Sequence, residues 1–223
     1  MGLNASKVKA PTVNKDYQRI EVGNYLARLV QVIDLGLQPQ RPYKGQEKPP
    51  AHEIMLTYEL GTEFMKDEEG NDIEDKPRWI SETIPFLSLK AELAKSTKRI
   101  NALDPKLEFG GDFAEMTGLP CTVTVTHNPH KTEPEKVYVN VGNVTPPMKG
   151  IPIPELVNPA KVFDLSEPDL EILGSLPEWV QDKIKSNLEF NGSTLYGMLN
   201  GDAPKEAEPV AETEEEDVES PFS

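Results

Sequence analysis

Five strand-like stretches and one helical stretch follow one another along the chain, and their order narrows the fold more than any other feature. GNYLARLVQVIDLG, Gly23 to Gly36, is a β-branched and aliphatic run bounded by glycines. LQPQRPYKGQEKPP, rich in proline and basic residues, reads as a long loop after it. HEIMLTYEL then alternates, with His52, Ile54, Leu56, Tyr58 and Leu60 on one face and Glu53, Met55, Thr57 and Glu59 on the other. That is the pattern of a half-buried strand. FMKDEEGNDIEDK is an acidic turn region, and PRWISETIP is a third strand. FLSLKAELAKSTKRINAL sets Leu89, Leu93, Ile100 and Leu103 in a helix, with Ser88 as N-cap and Glu92 close to the capping-box position. DFAEMTG adds a short helical turn. PCTVTVTHN and KVYVNVGNV alternate in step around PHKTEPE and form a hairpin, with Cys121, Val123, Val125, Val137, Val139 and Val141 inward.

Three strands, a helix and two strands is the order of an OB-fold, a five-stranded Greek-key barrel with a helix between strands 3 and 4. A generic β-sandwich gives no reason for a helix at that point. The expected fold is therefore mostly β. Residues 1–19 form a flexible arm, 20–145 the barrel domain, 146–200 an extension packed on it, and 201–223 a disordered acidic tail. Within the extension, TPPMKGIPIPELVNPAKVFDLSEPD is punctuated by proline and runs over the barrel surface. LPEWVQDKIKSNLEF is a short amphipathic helix with Trp179, Val180, Ile184 and Leu188 on one stripe.

No apolar run approaches the length of a membrane span, and there is no signal-peptide core. MGLNAS has the spacing of an N-myristoylation site at Gly2 and Ser6, a pattern short enough to arise by chance. The single cysteine, Cys121, excludes an internal disulfide and sits in a strand as a small core residue. Enzyme signatures are missing: there is no GxSxG, HExxH or CxxC, and the glycine-bearing FGGDFAEMTG lacks the GK[ST] of a phosphate loop. His127 and His130 lack a third metal ligand, and DEEGNDIED lacks the regular ligand alternation of a calcium loop. The expectation is a binding protein without cofactor, metal or catalysis.

Net charge is −15, but it is unevenly spread. Gly201 to Ser223 holds nine acidic residues and one lysine, whereas Met1 to Pro50 holds eight basic residues and four acidic. A basic groove on an acidic protein is thereby permitted. Single-strand binding asks for cations along the phosphates and aromatic faces on which bases stack. Arg28 lies in the first strand, and Arg41, Tyr43, Lys44 and Lys48 lie on the loop after it. Lys131 and Lys136 flank the hairpin turn. Trp79 and Tyr138 are out of phase with the buried residues of their strands and so face outward. The tail acids Glu214, Glu215, Glu216 and Asp217, followed by Phe222, can mimic a polyanion in such a groove or hold an aromatic anchor to a partner. Two other readings compete: a DNA-mimicking interaction factor that inhibits a host enzyme, and a virion component.

GNYLARLVQVIDLGLQPQ, KPPAHEIMLTYEL, KPRWISETI, LPCTVTVTHN and LPEWVQDKI together resemble a family of bacteriophage replication-region proteins regarded as single-stranded DNA-binding proteins with an OB-fold. The likeness runs from about Gly23 to Phe190. EEEDVESPFS is similar to the acidic tails of bacterial single-stranded DNA-binding proteins, with Pro221-Phe222 matching and Ser223 following. The resemblance implies coating of single-stranded DNA in phage replication or recombination, in the cytoplasm of an infected bacterium. It also implies replication or recombination proteins as partners of the tail.

Overall fold

The computed structural model describes residues 19–130, 132–133 and 136–201. Five segments of extended chain are joined antiparallel around the first of them. β1 (Gly23–Gln38) pairs with β2 (Ala51–Lys66) on one side and with β4 (Pro120–Pro129) on the other. β3 (Asp72–Pro85) lies outside β2, and β5 (Val137–Thr145) lies outside β4, giving the order β3-β2-β1-β4-β5. The sheet curls into a barrel-like, mostly β fold, with helix α1 (Lys95–Leu103) between β3 and β4. β1 can serve both neighbours because it bulges. Its register shifts between Leu29 and Gln31, so Ala27 and Leu29 face the barrel core before the bulge and Val32 after it.

The core joins these residues to Ile54, Leu56, Tyr58 and Leu60 of β2, Ile80 and Ile84 of β3, and Cys121, Val123 and Val125 of β4. Val141 and Val144 of β5 complete it, with a bulge at Gly142 between them, where a Cβ would come within 2.6 Å of the Thr126 side chain. Val139 packs against the same core from its edge.

The antiparallel pairings leave β3 and β5 parallel to one another at the two edges of the curl. α1 lies against this seam. Arg99, 2 % exposed, donates from Nε and Nη2 to the two oxygens of Glu82 on β3, at 2.6 and 3.0 Å, and from Nη1 to Asn143 Oδ1 on β5 at 3.3 Å. Tyr58 also donates its hydroxyl to Glu82, and burial beside that carboxylate raises the phenol's pKa well above its ordinary value.

Past β5 the chain crosses the outer face of the barrel. β6 (Lys161–Phe163) adds parallel to β1, followed by α2 (Leu170–Ser175), α3 (Glu178–Lys185) and α4 (Thr194–Asn200). These elements bury a second apolar cluster, in which Ile33, Leu35 and Met55 of the sheet meet Phe163, Leu173, Leu176, Val180, Ile184 and Leu195. Gly36 has φ +72°, and a Cβ there would strike Asn187 at 2.7 Å, so the extension lies against bare backbone.

Three expectations change. β2 is not half-buried: Met55, Thr57 and Glu59 on its outer face are covered too, because the extension lies over them. α1 begins at Lys95 with Ala94 at its N-cap, seven residues after Ser88. Ser96 Oγ accepts the Leu87 N–H at 3.1 Å. In one continuous helix those residues would stand about 13 Å apart, so the fold-back breaks it, and Leu93 is left exposed. On α3 the buried stripe is Val180 and Ile184 alone, while Trp179 and Leu188 face outward.

Replacing Arg99 by Met would leave buried Glu82 with only the longer ionic contact from Lys95, at 3.4 Å. We expect a loss of about 3–5 kcal/mol in urea denaturation, much of it recovered when Glu82 is replaced by Leu in the same chain. A single variant as stable as wild type would show that the seam does not depend on the pair.

Candidate nucleic-acid interface

The loop after β1 is itself a small hairpin. Tyr43 and Gln46 exchange both backbone hydrogen bonds, at 2.9 and 3.0 Å, around Lys44 (φ 51°) and Gly45 (φ 80°). Two successive positive φ angles make the tight turn that places its neighbours side by side. Tyr43 is 58 % exposed, and the ammonium groups of Lys44 and Lys48 lie 5.4 and 5.1 Å from its ring centroid. An exposed aromatic ring thus lies close to two cations, with exposed Arg41 just before it.

The β4–β5 turn lies at the opposite end of β1, because β4 runs antiparallel to it. Tyr138, outward as its phase requires and 46 % exposed, stands beside His130, with ring centroids 5.5 Å apart. The His130 N–H donates to the carbonyl of exposed Lys136 at 2.8 Å. The register of the hairpin brings His130 next to Tyr138, a neighbour that strand phase alone does not disclose. Lys131 lies outside the described residues, as do Glu214, Glu215, Glu216, Asp217 and Phe222.

Trp79 stands between these two ends on the outer face of β3, 40 % exposed. Arg99 ties Glu82 to Asn143, which sets the stagger of the parallel edge strands. Trp79 lies three residues before Glu82 and Tyr138 five before Asn143, so the two outward aromatics flank one seam. Trp79 is also anchored, donating Nε1–H to Glu59 at 3.0 Å. The same buried carboxylate accepts from Val157 N, Asn158 N and Asn158 Nδ2 at 2.7, 3.3 and 2.7 Å.

Arg28 does not join this surface. Its guanidinium donates to the carbonyls of Gly118, Ile153 and Pro154 at 2.8, 3.2 and 2.8 Å and pairs with Glu155 at 2.6 Å. With four of its five N–H donors engaged, one by Gly118 and three by the extension, this guanidinium ties the extension to the barrel and is not a free cation for phosphate. His127 is likewise engaged, through Nε2 to the carbonyl of Ile20 at 2.7 Å. Cys121 is fully buried, and desolvation pushes its thiol up to about 12, so it is inert at neutral pH. Among the described residues no group of three or more His, Cys, Asp or Glu could hold a metal ion, and no helix is long and apolar enough to cross a membrane.

His52, beside the loop hairpin, bonds through Nε2 to Asp34 Oδ1 at 2.6 Å. That bond raises its pKa above 6.5; partial burial opposes the shift, and the charges of Asp34, Glu189 and Asp164 assist it.

Comparison with protein-family models gives no match, and comparison with curated proteins gives none.

Two outcomes follow from the site. Because the folded pKa of His52 is raised, its contribution to stability is complete below about 6.5, the unfolded value, and fades as pH climbs through the folded value. An NMR titration should place the His52 midpoint above that of an exposed histidine, and Asp34→Asn should abolish the shift. Trp79→Phe keeps an aromatic ring but removes one of four donors to Glu59. It should lower stability in urea by about 1–2 kcal/mol, and no change at all would mean that the indole anchor is idle.

Proposed function

We propose that the protein is a sequence-nonspecific single-stranded DNA-binding protein of a bacteriophage. It coats the strand during replication or recombination in the host cytoplasm and works by binding, without catalysis. The observation that carries this reading is the placement of exposed aromatics on one barrel. Trp79 and Tyr138 flank the seam, and Tyr43 stands close to two ammonium groups at one end. Bases stack on such faces whatever their identity, at about 1–3 kcal/mol each. Arg41, Lys44, Lys48 and Lys136, with Lys131, supply the cations that follow phosphates. The resemblance to phage single-stranded DNA-binding proteins and the OB-like strand order support the same reading. The extension that closes the outer face of β1 and β2 would route the strand over β3 and β5. The acidic segment Glu214–Asp217 with Phe222 is proposed to recruit replication or recombination proteins through its aromatic anchor.

Titration with oligo-dT tests the reading. Trp179 is exposed on α3 and would obscure the signal, so the titration uses a Trp179→Phe background, in which Trp79 should be quenched on stacking. Tyr43→Ala and Tyr138→Ala should each weaken binding by about 1–3 kcal/mol with little change in Tm. Arg28→Ala should act on stability first. If four cations engage phosphates, affinity should fall by a few tens of fold between 50 and 200 mM salt, from a slope of about −0.7 per phosphate. A flat salt profile, or a marked preference for one duplex sequence, would sink the proposal.

A further inference from the structure

Arg28 on β1, Glu59 on β2 and Trp79 on β3 are successive partners in register and make one row across the outer face of the sheet. The segment 153–158 lies over the first two. Residues 153–155 take the Arg28 guanidinium, while Val157 and Asn158 donate to Glu59. The row changes character at its third member: Glu59 is 3 % exposed, Trp79 40 %. One edge of the indole is therefore pinned to a covered carboxylate while its ring borders solvent. A tryptophan side chain has a single hydrogen-bond donor, Nε1–H, so the ring has one polar handle, and Glu59 Oε2 holds it at 3.0 Å. The same oxygen receives both Asn158 donors, at 3.3 and 2.7 Å, and Oε1 receives Val157 N at 2.7 Å. A carboxylate gripped by three donors of the crossing segment cannot turn with the indole. It is a fixed point.

An exposed aromatic that is free to rotate loses that freedom when a base stacks on it, whereas a ring already held in place does not. We infer that Glu59 is a positioning residue for Trp79 in single-strand binding: too buried to touch the strand itself, it sets the face that the indole presents, with Val157 and Asn158 as its anchor. The inference rests on the DNA-binding reading above and adds to it a residue on which no base stacks. It also makes the extension part of the binding apparatus, since the fixed point of the indole is supplied from residues 157–158.

A double-mutant cycle on the full chain tests it. Affinity for fluorescein-labelled oligo-dT is read by anisotropy in wild type, Glu59→Gln, Trp79→Phe and the double variant. Glutamine keeps one acceptor oxygen but turns an amino group toward the donors. Glu59→Gln should weaken binding by about fivefold or more, the lower end of a stacking contact. In Trp79→Phe the ring has no handle, so adding Glu59→Gln should weaken binding no further, although it should still lower stability. An equal loss of affinity in both backgrounds would make Glu59 a structural residue only and overturn the inference. A second measurement leaves Glu59 intact, and so decides the matter even if the Glu59 variant misfolds. The chain has two tryptophans, so in a Trp179→Phe background Trp79 gives the one indole N–H signal in NMR. That proton and the Asn158 side-chain amide share Oε2, and the nuclear Overhauser effect between them should persist when oligo-dT is bound. Its loss would show that the ring swings free to stack, against the inference. Wild type that does not bind oligo-dT would overturn the DNA-binding reading and this inference with it, whereas binding with additive losses overturns the inference alone.

Discussion

The pairing of Arg99 with Glu82 carries the architecture. A curled sheet of this order ends in two parallel edges, and no ladder of backbone hydrogen bonds joins β3 to β5 among the described residues. The gap is bridged by a side chain. A guanidinium 2 % exposed, bidentate on one carboxylate and reaching an amide on the far strand, fixes the spacing of the two edges and the position of α1 together. Attraction at such short range only offsets the cost of removing two charges from water, so the pair adds little net stability. Its contribution is geometric: few alternative arrangements satisfy both ions, and the stagger of the outward aromatics follows from the one that does.

A second pair of buried or half-buried charges governs the outer face. Arg28 and Glu59 are adjacent across the β1–β2 ladder, where Arg28 is the registered partner of Glu59. Neither bonds mainly to the other. Each turns to the crossing segment, Arg28 to residues 153–155 and Glu59 to 157–158. A basic and an acidic side chain thus grip successive parts of one strap, and Pro154 sits over Gly61, where a Cβ would come within 3.0 Å. What is left open on the barrel is therefore decided by the extension as much as by the strands.

The strand order was legible because it rests on two-residue periodicity and glycine boundaries, which survive without tertiary knowledge. The outward phase of Trp79 and Tyr138 was legible for the same reason. Residues whose roles depend on chain far away were not. Arg28 reads as a free cation until Pro154, more than a hundred residues on, is laid beside it. Met55, Thr57 and Glu59 read as a solvent face because alternation reports only that the two faces of a strand differ. The start of α1 was misplaced because a hydroxyl nine residues ahead, Ser96, captures the Leu87 N–H, a competition that propensity cannot register. α2 and α4, of six and seven residues, are too short for helical spacing to emerge from the noise.

β1 feeds two apolar clusters from its opposite faces, Leu29 and Val32 on one side and Ile33 and Leu35 on the other. Unfolding of the barrel would therefore also take away the wall on which the extension packs. A proteolytic cut after β5 that released the helices would bare Ile33, Leu35 and Met55 as a continuous apolar strip. That strip lies on twisted, paired strands whose backbone is already satisfied, so such fragments would stick face to face through side chains and not by adding strands at an edge.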